Sequence, residues 1–443
     1  MKDFLKKILP KSAIKVYHKV LVFAAAMWYG FPSDKMIIIG VTGTKGKTST
    51  TNFIADMLES TGAKVAALST AVYRLPGKSW VNATKMTMPG RTQLQRFLQK
   101  AHRAGCKYVV VETSSEGIAQ NRTTAISYDV AVFTNISPEH IESHGSFENY
   151  KKAKQKLFQG LMRSRRKAGV KKVSVVNLDD EAAQDFLKFP ADAHYGFSMS
   201  GKTQEGVEAI EASNVQTSRA GLTFDISVNG LKDSVFAPIS GAFHVQNLLA
   251  AIAVLLSQNI SWKKIREALT VVKPVPGRMQ FVAYQNPFTV IVDYAHEPKS
   301  LGVILREARD LAGADHQVIV LTGAQGGGRD HAKRPQMGQV AKENADFIVV
   351  TNEDPYDEDP QKIIDDVARG VQDAGGVEGT DFVKVADRAE AIQKAIDVAK
   401  PGDVVVLAGK GSETVMAVRE NKKVPWSDSE VVQRILDSKK SGA

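Results

Sequence analysis

The chain has 443 residues, too many for one hydrophobic core, so two or three domains are expected. Its apolar share of 43% and charged share of 24% are those of an ordinary globular protein, which excludes a disordered or fibrous chain. A net charge of +10 suits an anionic small substrate or membrane surface without calling for nucleic acid, and the lone Cys106 excludes a disulfide framework or thiolate metal site within the chain, as fits a reducing cytoplasm. At the N-terminus six lysines, Lys2, Lys6, Lys7, Lys11, Lys15 and Lys19, precede the apolar run Val20–Tyr29. The order is that of a signal peptide's charged and apolar regions, but the run falls short of the ~20 apolar residues that span a bilayer. Two readings stay open: one or two helices packed on the first domain, or a basic helix lying on the inner face of a membrane.

Met36–Val41 then reads as a buried strand, Thr42-Gly-Thr-Lys-Gly-Lys-Thr-Ser49 as a glycine turn, and Thr51–Glu59 as an amphipathic helix. Strand, turn and helix N-terminus in this order cradle a phosphate. Gly43 and Gly46 let backbone N–H groups of Thr44, Lys45 and Ser49 approach the anion, Lys47 reaches the β- and γ-phosphates, and the Thr48 hydroxyl holds Mg²⁺. The full Walker pattern has a glycine where Val41 stands; the stretch is read as an ATP site all the same.

Further strands are expected at Lys64–Thr70, Tyr108–Glu112, Asp129–Asn135 and Val173–Asp180, with a helix over Thr92–Gln99 after the loop Thr87–Gly90. Near-continuous apolar strands alternating with helices predict an α/β fold, a mostly parallel, doubly wound sheet covered on both faces. The basic run Arg163–Lys167, continuing to Lys171 and Lys172, reads as a solvated helix end and loop. Short alternating strands follow over Glu208–Phe236, then a strong helix over Gly241–Leu256. The proline- and glycine-marked joint Lys273–Met279 divides a central domain, 36–277, from a C-terminal domain, 278–443, with 1–35 as an N-terminal helical extension. Strands at Thr289–Asp293, Gln317–Thr322, Phe347–Thr351 and Val404–Leu407 make the second domain Rossmann-like.

Glu112 ends a hydrophobic strand, where the carboxylate of a P-loop enzyme meets the nucleotide's metal. The polar stretch Thr113–Arg122 follows it, and Asn135–His144 sets His140 and His144 among carboxylates, with His140 a candidate metal ligand. Asn149–Phe158 carries four lysines, which by themselves mean only a solvated helix face.

Thr42–Thr48, Glu112–Arg122, Phe133–His144, Ala153–Phe158, Gly241–Asn247, Pro276–Met279, Asp293–Pro298, Lys333–Pro335 and Gly409–Glu413 stand in an order that resembles the Mur ligases. The closest branch adds the third residue of the stem peptide (MurE-like). The resemblance implies an ATP-dependent carbon–nitrogen ligase of peptidoglycan precursor synthesis, working through an acyl phosphate. It implies that Lys47 and Thr48 bind ATP and Mg²⁺, that Glu112 and His140 complete two metal sites, and that Lys154 carries CO₂ as a carbamate. Asn135 and Asn247 match adenine-side positions, Asp293 a ribose contact and Arg278 a phosphate contact. ATP is held between the central and C-terminal domains, so domain closure is expected to assemble the site. Thr87, Ser114, Gln120 and Arg122 match contacts to a muramoyl-peptide acceptor. Arg329, Glu353, Asp354, Tyr356, Gly409 and Glu413 match the site of the incoming amino acid.

Three departures from the family pattern bear on function. The family's N-terminal domain, which grips uridine diphosphate, is missing ahead of Ala24–Ser33, so the acceptor is expected to be held by its peptide end or by another anchor, such as a lipid. Tyr356 stands where diaminopimelate-adding enzymes carry an arginine, and Glu353, Asp354 and Asp357 suit a cationic side chain, so L-lysine or ornithine is expected. Glu116, His244 and Ser412 replace the family's histidine, asparagine and histidine. The partners expected are small molecules, with peripheral membrane contact through the N-terminal helix, and the chain is expected to be a cytoplasmic monomer. The competing readings are a ligase of the same superfamily with a non-UDP acceptor (lipid-linked, polyglutamate or polyamino-acid), a nucleotide-binding regulator and a nucleic-acid-binding ATPase. The intact Lys47, Glu112, His140 and Lys154 speak against the regulator, and only net charge favours the last.

Overall fold

The computed structural model describes residues 11–84, 86–139, 144–282, 287–328, 331–420 and 422–441. The chain divides between Lys273 and Pro274 into two compact units, each with its own sheet and apolar core.

In the first unit α1 (Lys11–Trp28) and a 3-10 turn (Pro32–Lys35) lead into β1 (Ile37–Thr42), buried from Ile38 onward. The glycine loop and α2 (Lys47–Ser60) follow, then β2 (Val65–Leu68) and the hairpin of β3 (Val72–Leu75) and β4 (Lys78–Val81). Next come α3 (Arg91–Arg103), β5 (Tyr108–Glu112), α4 (Ser115–Ala119), β6 (Val130–Phe133) and α5 (Phe147–Leu161). The unit continues with β7 (Val173–Asn177), α6 (Ala183–Leu187), β8 (Ala193–Ser198), β9 (Glu208–Thr217), β10 (Leu222–Val228), β11 (Leu231–Ala237), α7 (His244–Ser257) and α8 (Trp262–Leu269).

Eleven strands form one sheet in the order β11-β10-β9-β8-β7-β6-β1-β5-β2-β3-β4. β1 lies parallel between β5 and β6, with Val41 opposite Glu112 and Thr42 opposite Phe133. The chain departs from β1 to both sides, so the carboxyl end of β1 is a switch point, where a crevice opens beyond the strands. The short strands expected over Glu208–Phe236 are present as the antiparallel run β9-β10-β11, which extends the main sheet through the parallel pair β8–β9.

Two sequence expectations change here. The helix after the glycine loop is not amphipathic: α2 is buried from Thr48 to Leu58, because the Leu- and Ala-rich α7, which also lies on β7, β8 and β9, packs against it. The basic run after α5 is only partly solvated. Arg163, Arg165, Arg166 and Lys171 are exposed, but Lys167 and Lys172 turn inward to the buried Asp129. Lys172 Nζ lies 3.1 Å from Asp129 Oδ1 and also donates to Tyr128 O, Ser164 Oγ and Arg165 O, so its charge is paired and its donors are satisfied.

The second unit holds β12 (Gln280–Val282), β13 (Thr289–Asp293), α9 (Pro298–Ala312), β14 (Val318–Thr322), α10 (Lys333–Asn344), β15 (Phe347–Thr351) and α11 (Pro360–Asp373). It ends with β16 (Phe382–Val385), α12 (Arg388–Val398), β17 (Val404–Ala408), the hairpin of β18 (Val415–Val418) and β19 (Lys422–Pro425), and α13 (Asp428–Ser441). Its main sheet runs β12-β13-β17-β14-β15-β16, parallel except for β12. Asp359 and Asp387 accept backbone N–H groups at the starts of α11 and α12, which fixes where those helices begin.

Candidate active site

The loop between β1 and α2 has the backbone that its glycines permit. Gly43 and Gly46 have φ of 151° and 79°, and a Cβ on either would sit 1.9 Å from Thr134 Oγ1 or 2.2 Å from Asn247 Oδ1. Neighbouring strands hold the loop in shape. Asn135, after β6, accepts from Lys45 N (2.9 Å) and its backbone carbonyl accepts from Thr44 N (2.8 Å). Thr134 Oγ1 donates to Lys45 O at 2.7 Å, and Thr44 Oγ1 meets Tyr150 Oη at 3.0 Å. Asn247 Oδ1 accepts from Thr50 Oγ1 at 3.1 Å. The two asparagines that the resemblance puts on the adenine side therefore brace the loop in this structure. Lys45 pairs with Glu139 at 2.7 Å, and Ser49 is buried at the start of α2.

Three charged groups converge on this loop. Lys47 Nζ folds back to Thr44 O at 2.7 Å. Glu112, 1% exposed at the end of β5, accepts from Thr48 Oγ1 at 3.0 and 3.1 Å and from Thr70 N and Oγ1 at 2.6 and 2.9 Å. Lys154, on the buried face of α5, donates to Gly43 O at 2.5 Å and stands 4.3 Å over the Tyr150 ring. Burial first, and then the charge of Lys47, hold the Lys154 ammonium well below an ordinary lysine's pKa. The four-lysine stretch is thus no uniform solvated face: Lys154 is its inward member. His140 lies outside the described residues, and its neighbour His144 meets Ser115 Oγ at 3.1 Å.

The hydroxyl of Thr48 and the carboxylate of Glu112 are hard oxygen donors beside a phosphate cradle, a set that suits Mg²⁺ shared with a nucleotide. The cradle, whose two glycine positions leave no room for a Cβ, fits the phosphates themselves.

Next to this site the expected acceptor residues gather. Thr87 Oγ1 lies 3.0 Å from Thr70 Oγ1, which ties the Thr87 loop to the Glu112 carboxylate. Arg122 donates to Gln120 Oε1 at 3.1 and 2.8 Å and to Met88 O, and burial lowers its pKa. Ser114 is spent as the cap of α4, accepting from Gly117 N.

The second unit brings together most of the amino-acid residues at the carboxyl ends of β13, β15 and β17. Asp293 accepts from Met279 N at 2.6 Å, and Arg278 lies over the Tyr294 ring at 4.5 Å. Asp354 is paired with Lys410 at 2.9 Å, and the same ammonium pairs with Glu413 at 2.6 Å. Asp357 accepts from Glu420 N. These contacts correct the charge argument for a cationic amino acid: Asp354 is neutralised inside the protein and Asp357 is spent on backbone. Lys410, the centre of this cluster, was missed as a site residue although it stands in the Gly409–Glu413 stretch. Glu353 is fully buried, with neither oxygen hydrogen-bonded, and the glycine at 409 (φ 104°) leaves it room, since a Cβ there would sit 2.5 Å from Glu353 Oε2. Burial pushes its carboxyl up to about 7, against the pull of Lys410 and Arg388. Tyr356 has φ of 53° and donates its N–H to Ala417 O; Arg329 lies outside the described residues.

A parallel sheet with a glycine loop, a hydroxyl–carboxylate pair and a buried lysine at one switch point defines a P-loop enzyme built to handle a nucleotide's terminal phosphate. A family model of the Mur ligase middle domain matches residues 41–255, and one of the Mur ligase glutamate ligase domain matches 277–411. The UDP-N-acetylmuramoyl-L-alanyl-D-glutamate–2,6-diaminopimelate ligase of Coxiella burnetii is 34% identical over 98% of this chain and 90% of its own length. The UDP-N-acetylmuramyl-tripeptide synthetase of a Roseiflexus species is 34% identical over 97% of this chain and 84% of its own. A solved structure of a 2,6-diaminopimelate ligase of the same full name superposes with a TM-score of 0.62 at 30% identity, covering 91% of this chain and 79% of that one. The chain belongs to the Mur ligase family, the ATP-dependent carbon–nitrogen ligases of peptidoglycan precursor synthesis.

Proposed function

We propose that this ligase joins the amino group of an amino acid to the carboxylate of a muramoyl-peptide-type acceptor. The observation that carries this reading is the convergence of Lys47, Thr48, Glu112 and Lys154 on one phosphate loop, beside Thr87, Gln120 and Arg122. When bound, ATP with two Mg²⁺ ions supplies the transferable phosphoryl group and the positive charge that activates it. The loop from Gly43 to Ser49 and the Lys47 ammonium hold the β- and γ-phosphates, and Thr48, Glu112 and His140 hold the ions. Arg122 orients the acceptor. The acceptor carboxylate attacks the γ-phosphorus and ADP leaves, giving an acyl phosphate. The amine then attacks the acyl carbon, and collapse of the tetrahedral adduct expels phosphate and leaves an amide. Two anionic reactants meet in this sequence, so the cations of the site lower the barrier by screening their repulsion.

Lys154 adds CO₂ as a carbamate. Burial lowers the pKa of this amine and so favours its nucleophilic free form, and carbamylation would turn it into an anion able to serve as a ligand for the second Mg²⁺. The amino acid added is L-lysine or ornithine rather than diaminopimelate. This rests on Tyr356, which offers no guanidinium to a distal carboxylate. The enzyme works as a cytoplasmic monomer that touches the membrane only peripherally.

Phosphate release from ATP tests the reading, with nucleotide-linked muramoyl dipeptide as acceptor and each amino acid in turn. Release that needs the acceptor together with L-lysine or ornithine, and stops with chelator, is expected. Release with diaminopimelate alone overturns the amino-acid assignment. Silence with every pair, from protein that still binds ATP, overturns the nucleotide-linked acceptor and leaves the lipid-linked one.

A further inference from the structure

Two basic features that lie far apart in sequence come together at the amino edge of the first sheet. α1 buries Val22, Ala25 and Ala26 and packs on α3. Its other side exposes Tyr17, Val20, Leu21, Phe23, Met27 and Trp28, the last two 68% and 84% exposed. Their spacing of three and four residues lays most of them along one stripe of the helix. The 28 residues up to Trp28 hold six lysines against one acid, Asp3. The 3-10 turn after α1 carries Asp34, and Arg165 of the distant basic run pairs with it at 3.1 Å. Lys167 of the same run donates to Met36 O at 2.6 Å, just before β1. α3 adds the exposed Arg96, Lys100 and Arg103.

We infer that α1, α3 and the 163–171 run form one docking surface for an anionic lipid bilayer. An apolar stripe flanked by lysines and arginines lies in the plane of the interface, its side chains among the acyl chains and its cations on the headgroups, with Tyr17 and Trp28 at the depth that such rings favour. No described helix is long and apolar enough to cross a membrane, so the contact is peripheral. A second copy of the chain does not suit the face, because it would set the same surplus of positive charge against itself. The surface adjoins the start of β1, whereas the phosphate loop leaves its end, so docking keeps the loop open. The inference stands independently of which acceptor is used.

Co-sedimentation of the full chain with vesicles tests it, using phosphatidylcholine alone and phosphatidylcholine with about one third phosphatidylglycerol. Binding to the anionic vesicles only, with a blue shift of tryptophan emission, is expected. Lys19→Gln, Lys100→Gln and Arg163→Gln each weaken binding roughly five-fold. Met27→Ser with Trp28→Ser abolishes it, while circular dichroism and phosphate release stay unchanged. Failure of folded protein to bind, or equal binding to both vesicles, overturns the inference. So does a dimer in vesicle-free sedimentation that the Met27→Ser/Trp28→Ser variant dissociates.

Discussion

At the scale of single residues, Lys154 is where position overrides composition. Its sequence neighbourhood is a run of lysines, and only the fold shows that one of them is sealed against Gly43 O and the Tyr150 ring. Its folded pKa lies below the unfolded one. Between the two, only the unfolded chain holds the proton, so this group's contribution to stability rises with pH across that window. The lowered pKa favours the free amine, the form that reacts with CO₂. Removing dissolved CO₂ and bicarbonate is expected to lower phosphate release, more steeply on the acid side, where protonation competes. Lys154→Ala is expected to cost roughly 10²–10³-fold in kcat. A carbonyl signal from ¹³C-bicarbonate should be seen by NMR in the parent and not in the variant. Activity indifferent to CO₂, with no such signal, would rule the carbamate out. The cluster around Lys410 teaches the complementary lesson: Asp354 and Asp357 looked like acids awaiting a cation, but the first is paired with Lys410 and the second accepts a backbone N–H, contacts that are invisible to a count of charges.

At the scale of elements, the strands that carry the site were legible because buried parallel strands are short, continuous apolar runs, as in β1, β5, β6 and β15. The hairpin of β3 and β4 was not. Val72–Val81 mixes Arg74, Lys78 and Trp80 without a clean alternation, since this edge hairpin is only partly buried. The all-round burial of α2 was hidden too, because it depends on α7, which comes nearly 200 residues later. The glycine loop allows a sharp test. In Gly46→Ala the new methyl meets Asn247 in a left-handed backbone, so ATP affinity is expected to fall more than ten-fold in titration calorimetry. Gly62, just past the other end of α2, has φ of 90° with nothing within 4 Å of a Cβ. Gly62→Ala therefore carries the backbone strain alone, about 1–2 kcal/mol of stability, with ATP affinity unchanged. Equal losses of affinity in the two variants would mean that the contact with Asn247 has no part in shaping the loop.

At the scale of the whole molecule, the sequence reading divides the chain at 277/278, within the proline- and glycine-marked stretch Lys273–Met279, and the two compact units divide between Lys273 and Pro274; the polar anchors of each core were not legible. Each unit has a fully buried carboxylate paired with buried cations in its interior, apart from the Lys410 cluster. In the first, Asp129 faces Lys167 and Lys172; in the second, Asp428 takes Arg388 Nε and Nη2 at 2.9 and 2.7 Å, with both side chains fully buried. Removing one carboxylate leaves buried cations uncompensated, at a cost of about 3–5 kcal/mol. For units of this size that is a fall of roughly 10 °C in the midpoint of whichever unit holds the residue. Separate sheets and cores make separate unfolding transitions the expectation, so calorimetry on two variants decides it. Asp129→Ala should lower one transition and leave the other in place, and Asp428→Ala should do the reverse. If each variant instead drags the entire melting profile down, the units unfold as one cooperative body, and stability in one is then felt in the other.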